Sequence, residues 1–250
     1  MKTRDKVLNI VLPIATITVI ILLWSAAAIA VDSEYVLPTV KETFAALIGL
    51  FKSAEFYRAF FGTLLRSVIA FAISFLLAFV VSFLSYKSER ARRALKPLII
   101  IIRALPTIAV VLLLVLWTNS RVAPIIVTFL VVFPTLYNNL YAALGGIDKD
   151  LNEMCKVFGV KNSERLKKVV FPQIAPEFIM AAGSGLTLNL KLMVAAEVLS
   201  QTVPSMGDLL NKSKIYFEYP TMLALVFITV ITGLIIEFLF GLWAKKAVKR

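Results

Sequence analysis

Six stretches of this 250-residue chain stay apolar for about the 20 positions that a helix needs to cross the hydrocarbon core of a bilayer. They cover roughly residues 7–31, 62–86, 97–117, 122–143, 177–200 and 220–243. Membrane-spanning strands would instead alternate apolar and polar residues. Ile17-Thr18-Val19-Ile20-Ile21-Leu22-Leu23 does not alternate, so helices are expected. A soluble fold of this length could not hide a chain that is 60% hydrophobic and 17% charged. The predicted class is an all-α, polytopic membrane protein of about six spans. No internal repeat, low-complexity tract or flexible linker divides it, so residues 1–250 read as one membrane domain.

Composition excludes several chemistries. Cys155 is the single cysteine, which removes an internal disulfide and any cysteine-based metal cluster. Histidine is absent, which removes His-ligated zinc proteases, Ser-His hydrolases and His proton relays. Gly183-Ser184-Gly185 lacks the spacing of a nucleophile elbow, and no histidine could activate the serine. There is no Gly-x-x-x-x-Gly-Lys-Ser/Thr phosphate loop, so the chain does not hold ATP by that means.

The net charge of +12 is explained by sidedness. With both termini inside, the N-terminal tail, the stretches 87–96 and 149–168 and the tail after Trp243 carry eighteen Lys and Arg, and with Asp148 six acids stand against them. The outer segments carry six of each sign, and the charges within or at the ends of spans cancel. All the excess lies on one face, as the positive-inside rule requires for an even number of spans. The basic character therefore needs no nucleic-acid partner; the partner it implies is the lipid bilayer. Lys2, Arg4 and the Ala28-Ile29-Ala30 triplet imitate a secretory signal, but the apolar run exceeds a signal core, so a retained first span is expected.

Two extramembrane segments carry helix signals. Thr39 with Glu42 three residues on forms a capping box, and Val40, Phe44, Leu47, Ile48 and Phe51 follow on one face. That helix either lies along the outer interface or packs on the spans. Between spans four and five, Asp150 to Glu153 reads as a second capping box, opening a helix to about Phe158 that Gly159 stops. Ser163 is placed to cap a short second helix through Val169, with Pro172 and Pro176 closing it before the fifth span. Val157, Phe158, Leu166 and Val169 are the apolar residues of this hairpin. It is built either to dock a partner or to fold against its own bundle.

Glu153-Met154-Cys155-Lys156-Val157-Phe158-Gly159, followed by Val169-Val170-Phe171-Pro172, resembles the EAA loop of bacterial ABC importer permeases, whose pattern is Glu-Ala-Ala-x3-Gly-x9-Ile-x-Leu-Pro. The likeness extends from Leu37-Pro38-Thr39 to the last span. Arg103-Ala104-Leu105-Pro106 with Leu116-Trp117 resembles the third-span signature of the nitrate/sulfonate/taurine-type permeases. Phe133-Pro134 with Asn138 or Asn139, Val194-Ala195-Ala196-Glu197 and Met206-Gly207-Asp208-Leu209-Leu210 are similar to their later motifs. Met154 and Cys155 depart from the two alanines, Thr118-Asn119 from a Phe-Gly pair, and Lys191 lies near a usually aromatic position.

The resemblance implies a type I ABC importer permease: a non-enzymatic subunit in a bacterial or archaeal cytoplasmic membrane, both termini inside. Its implied partners are cytoplasmic ABC ATPase subunits, an extracytoplasmic solute-binding protein and a second permease copy or homologue. ATP and Mg would be bound by the ATPase and no cofactor by this chain. The loop 148–176 would couple to the ATPase, with Glu153, Val157, Phe158, Gly159, Leu166 and Pro172 as its contact and turn residues. A self-contained channel or secondary transporter is the competing class.

Within the spans, ionisable residues are costly unless they face protein or water. Ser184, Thr187 and Lys191 are spaced i, i+3, i+7 and share a helix face, which is read as lining the solute path; Asn189 and Glu197 lie on a neighbouring face. Lys191 in a cavity would favour a small anionic solute; pairing with an acid such as Glu237 is the alternative. Arg103 and Arg66 read as anchors that snorkel to the interfaces. Gly183 and Gly185 read as points of close helix approach, and Pro106 and Pro134 as kinks or breaks.

Overall fold

The computed structural model describes residues 3–33 and 36–248; the charges counted above at Lys2, Glu34, Lys249 and Arg250 lie outside them. Among the described residues there are helices and no strands. Five helices are long and apolar enough to cross a membrane, and a sixth span exists if one sharply bent pair is counted together. The helices are α1 (Thr3–Val31), α2 (Val40–Leu50), α3 (Ala54–Lys87), α4 (Glu89–Ala104), α5 (Thr107–Trp117), α6 (Ala123–Gly145), α7 (Lys149–Val157), α8 (Asn162–Arg165), α9 (Phe171–Ser200), α10 (Met206–Ile215) and α11 (Tyr219–Val248). A π turn, Leu166–Val170, joins α8 to α9.

The bent pair falls across the expected third span over 97–117, and its break is at Pro106, where a kink or break was expected. Leu105 precedes a proline, which disfavours the helical conformation, and both Leu105 and Pro106 are extended (ψ 128° and 108°). α4 therefore ends at Ala104, and α5 leaves at 91° to it. Pro134, by contrast, is carried inside α6. Asn119, in the departure Thr118-Asn119, has a local role: its Oδ1 accepts the N–H groups of Arg121 and Val122, both at 3.0 Å, ahead of α6.

The chain separates into two compact units. The first holds residues 1–57 and 209–228. The expected capping box is formed here: the Thr39 hydroxyl accepts the Glu42 N–H, and the Glu42 carboxylate accepts the Thr39 N–H at 2.9 Å. The Trp24 indole donates to the Pro38 carbonyl at 3.1 Å and stacks, tilted, on Phe227 at 5.6 Å. These contacts tie α1 and the start of α11 to the α2 entry. The Lys212 ammonium reaches Glu55 at 2.8 Å. The outward apolar side chains of α1, such as Leu12, Ile20 and Leu23, are exposed, as suits a helix that faces lipid.

The second unit holds residues 58–208 and 229–250. α6 and α9 pack most extensively, and α5 lies against both. The main core joins Ala78 of α3, Ile99 of α4, Val132, Phe133, Leu136, Tyr137 and Leu140 of α6, and Ala181 of α9. α3 enters it by a stripe of small residues. Ala59, Thr63, Ser67, Ala70, Ser74, Ala78, Ser82 and Ser85 are all buried, every third or fourth position, while Phe61, Leu65, Leu76 and Phe83 point away. Small side chains let helix backbones approach where no hydrophobic force drives association in lipid.

Glycines extend that closeness. A Cβ on Gly183 would lie 2.6 Å from Phe240 Cβ, and one on Gly233 would lie 2.9 Å from Thr187 Cγ2. The Phe240 atom is next to the backbone and cannot swing aside, so Gly183→Val should cost about 1–3 kcal/mol through overpacking. The loss is read as a lowered thermal midpoint in detergent. An unchanged midpoint would mean that α9 and α11 are not held at this distance.

Candidate functional site

The segment between α6 and α9 folds as an elbow, rooted in the second unit by Leu144, Ile147 and Ile174. Asp148, not Asp150, caps α7: its Oδ1 accepts the N–H groups of Asp150 at 2.9 Å and Leu151 at 3.1 Å. The Asp148 N–H is itself held by Gln173 Oε1 at 2.9 Å, which fixes the start of α7 to the start of α9. α7 stops at Val157, and Gly159 has φ +64°, the left-handed turn expected of it. The Val160 N–H closes the turn on the Cys155 carbonyl at 2.9 Å.

Past the turn, Lys161 stands at the N-cap of α8, with no side-chain hydrogen bond there; the expected cap at Ser163 is not made. The two prolines do not close the hairpin either. Pro172 lies in the first turn of α9 and Pro176 inside it, so one continuous helical path runs from Asn162 to Ser200. The π turn precedes Pro172, and there the Phe171 N–H reaches back five residues to Leu166. This wider turn offers room where a proline ring would otherwise meet a carbonyl of the preceding turn.

The elbow turns apolar side chains outward. Val157 is 83% and Phe158 76% exposed, and Leu151, Met154 and Leu166 are exposed beside them. Glu153, Gly159 and Pro172 are also at the surface, whereas Cys155 of α7 is buried.

On α9, the structure divides the residues expected to line a path. Glu177, Met180, Ser184, Lys191 and Ala195 form an exposed stripe. A cavity of about 630 Å³ is bounded by Asn139, Gln173, Glu177, Met180 and Ser184, and a second of about 310 Å³ by Met180, Ser184, Glu237 and Phe240. Ser184 lies at both. Lys191 is further along the stripe, exposed, and makes no ion pair among the described residues, so Glu237 does not neutralise it.

Thr187 is taken up in packing, its hydroxyl donating to the Gly233 carbonyl at 3.1 Å. Asn189 and Glu197 have no exposed surface. The Asn189 carboxamide lies 2.7 Å from Ser67 Oγ, and the orientation that satisfies it also donates to the Ser67 carbonyl at 3.0 Å. Glu197 accepts from the Thr63 hydroxyl at 2.7 Å and pairs with Arg66 at 2.7 Å. These are packing residues of the α3–α9 contact.

Arg66 is therefore not a free interface anchor. Its guanidinium also donates to the Pro204 carbonyl at 2.9 Å, and the Glu197 carboxylate accepts the Gly207 N–H at 3.4 Å. The cluster pins α3 and the segment entering α10 to the end of α9. Sequence reasoning missed it, although Thr63, Arg66 and Ser67 fall on the small-residue face of α3 and gave a signal.

Several spanning helices, one broken at a proline, together with a capped extramembrane elbow and a polar stripe on the helix that follows it, define a membrane transport subunit. The family signature described as "binding-protein-dependent transport system inner membrane component" matches residues 70–249, and the chain belongs to that family. The formylaminopyrimidine transport permease protein ThiX of Halalkalibacterium halodurans is 24% identical over 220 residues, 86% of each chain. The putative aliphatic sulfonates transport permease protein SsuC of Bacillus subtilis is 24% identical, covering 92% of this chain and 84% of its own. The taurine transport system permease protein TauC of Escherichia coli is 21% identical over 92% and 86%. The fold matches a chain of the inward-facing MetNI methionine ABC transporter with a TM-score of 0.66 at 17% identity, covering 76% of this chain and 95% of that one. The chain is thus a multi-pass ABC importer permease with the type I architecture, and the channel or secondary-transporter alternative is not favoured.

Proposed function

We propose that this permease takes its driving force from separate cytoplasmic ATPase subunits through the elbow 148–176, pairs with a second permease chain, and receives a small anionic solute from an extracytoplasmic binding protein. ATP and Mg belong to the ATPase. The observation that carries the coupling reading is Val157-Phe158, two adjacent apolar side chains at the tip of a segment capped at Asp148 and turned at Gly159. A stiff segment transmits displacement where a floppy one would dissipate it as conformational entropy. Exposed apolar residues on a rigid support are also the usual anchors of an interface. Both termini lie in the cytoplasm on this reading, because the charge excess then falls on the elbow's side.

Co-purification with a co-expressed candidate ABC ATPase subunit tests it. Deletion of residues 153–160 should abolish association, and association that survives the deletion would overturn the assignment.

The solute reading rests on Lys191. Its exposure on the Ser184 stripe and its lack of an acidic partner among the described residues leave an ammonium free to meet a solute anion. In vesicles reconstituted with the ATPase and binding protein, Lys191→Met should raise the KM for an anionic solute about tenfold, the loss of roughly 1.4 kcal/mol of attraction. An unchanged KM would remove Lys191 from the path.

A further inference from the structure

Where α3 ends and the elbow returns to the membrane, a cavity of about 400 Å³ lies between α3, the end of α6, the π turn and the start of α9. It is separate from the polar stripe, because Ile174 and Phe178 on its wall lie about 100° round α9 from Ser184 and Lys191. Phe79, Phe83 and Phe178 form one side, with the Phe79 and Phe178 rings edge to face at 5.9 Å. The charged lining residues are Lys87 and Arg165, and among the described residues no acid lines it. The Lys87 ammonium lies 5.4 Å over the Phe83 ring, and the Arg165 Nε has no hydrogen-bond partner among the described residues.

Two cations line the cavity with no acid beside them among the described residues, so the site favours an anion. The aromatic wall specifies what carries that anion. Phe79 is eight residues before the end of α3, so the wall reaches about 12 Å into a membrane-spanning helix. A soluble anion would leave those rings unused, and a protein carboxylate could not follow them inward. Basic residues at the mouth of an apolar groove between spanning helices are the pattern that binds lipid headgroups.

We propose that this cavity holds an anionic phospholipid, its phosphate between Lys87 and Arg165 and its proximal acyl carbons on Phe79, Phe83 and Phe178. The lipid bridges α3 and the root of the elbow. This inference depends on neither the coupling nor the solute reading.

Native mass spectrometry of the full-length chain, titrated with dioleoylphosphatidylglycerol or dioleoylphosphatidylcholine, tests it. One phosphatidylglycerol should be retained saturably, and Lys87→Gln/Arg165→Gln should weaken that retention about tenfold or more. Lys87→Arg should keep it, and phosphatidylcholine should bind weakly to every form. Lys87 is exposed at the last position of α3, so Lys87→Gln alone, with a several-fold loss, decides the matter if the double variant does not fold. Equal retention of both lipids, or unchanged phosphatidylglycerol retention in the variants, would overturn the proposal. So would displacement by inorganic phosphate, which would make the site one for a free anion, or displacement by the ATPase subunit, which would make it a protein contact.

Discussion

Gly159→Val is expected to abolish co-purification of the ATPase while leaving the spanning helices folded. The glycine adopts φ +64°, and forcing an L-residue into that region costs about 1–2 kcal/mol, more for a β-branched one. A Cβ at this position would meet nothing within 4 Å, so the effect is one of backbone conformation and not of crowding. The chain relieves the strain by re-aiming the turn, which moves Val157 and Phe158 relative to α8. Gly159→Asn separates the two explanations, because asparagine tolerates the left-handed region; it should keep most of the association. Val157→Asp/Phe158→Asp leaves the turn alone and removes the apolar tip. Anchors of this kind cost about 2 kcal/mol or more each, roughly thirtyfold in affinity apiece, so that variant should lose the ATPase as completely. Wild-type pull-down and ATPase stimulation with Gly159→Val would remove the elbow from the coupling path.

The spans were legible because apolar length is a one-dimensional property, and the same is true of the stop at Gly159 and the Thr39–Glu42 box. What the sequence hid are choices made by distant partners. Asp148 and Asp150 are equally good N-caps locally, and Glu153 favoured the later one. Gln173, 25 residues on, decides for Asp148 by holding its N–H. Pro172 and Pro176 looked like stops because a regular α-helix resists them, yet a π turn and a first-turn position accommodate both. The polar residues of α9 were read by spacing alone. Spacing finds the open stripe of Ser184 and Lys191, but it cannot tell that Asn189 and Glu197 face partners more than 120 residues away. The small-residue stripe of α3 was present throughout, masked by the phenylalanines and leucines that interrupt it.

The Arg66–Glu197 pair supports the other large effect. Arg66→Met should lower stability by about 3–5 kcal/mol, because it strands a carboxylate with no exposed surface. That is a large share of the roughly 5–15 kcal/mol that holds a domain folded. The Thr63 hydroxyl and the Gly207 N–H remain as donors, but neither carries a compensating charge. Glu197→Gln should cost less, since Arg66 keeps 15% of its side chain exposed and can turn its charge toward the interface. Arg66→Met/Glu197→Leu should recover much of the loss, because both buried charges then go together. Heating each variant in detergent and measuring the monodisperse fraction gives the order wild type, double variant or Glu197→Gln, then Arg66→Met. With Glu197→Leu added as the second single variant, strictly additive losses would mean that the two charges do not interact. Gly207→Val probes the same joint without touching a charge: its Cβ would come within 2.5 Å of the Glu197 Cβ and the Val198 backbone nitrogen, neither of which can swing aside. A loss there comparable to Arg66→Met would locate the stability in the close seating of the α10 entry on α9, with the ion pair fixing its register against α3.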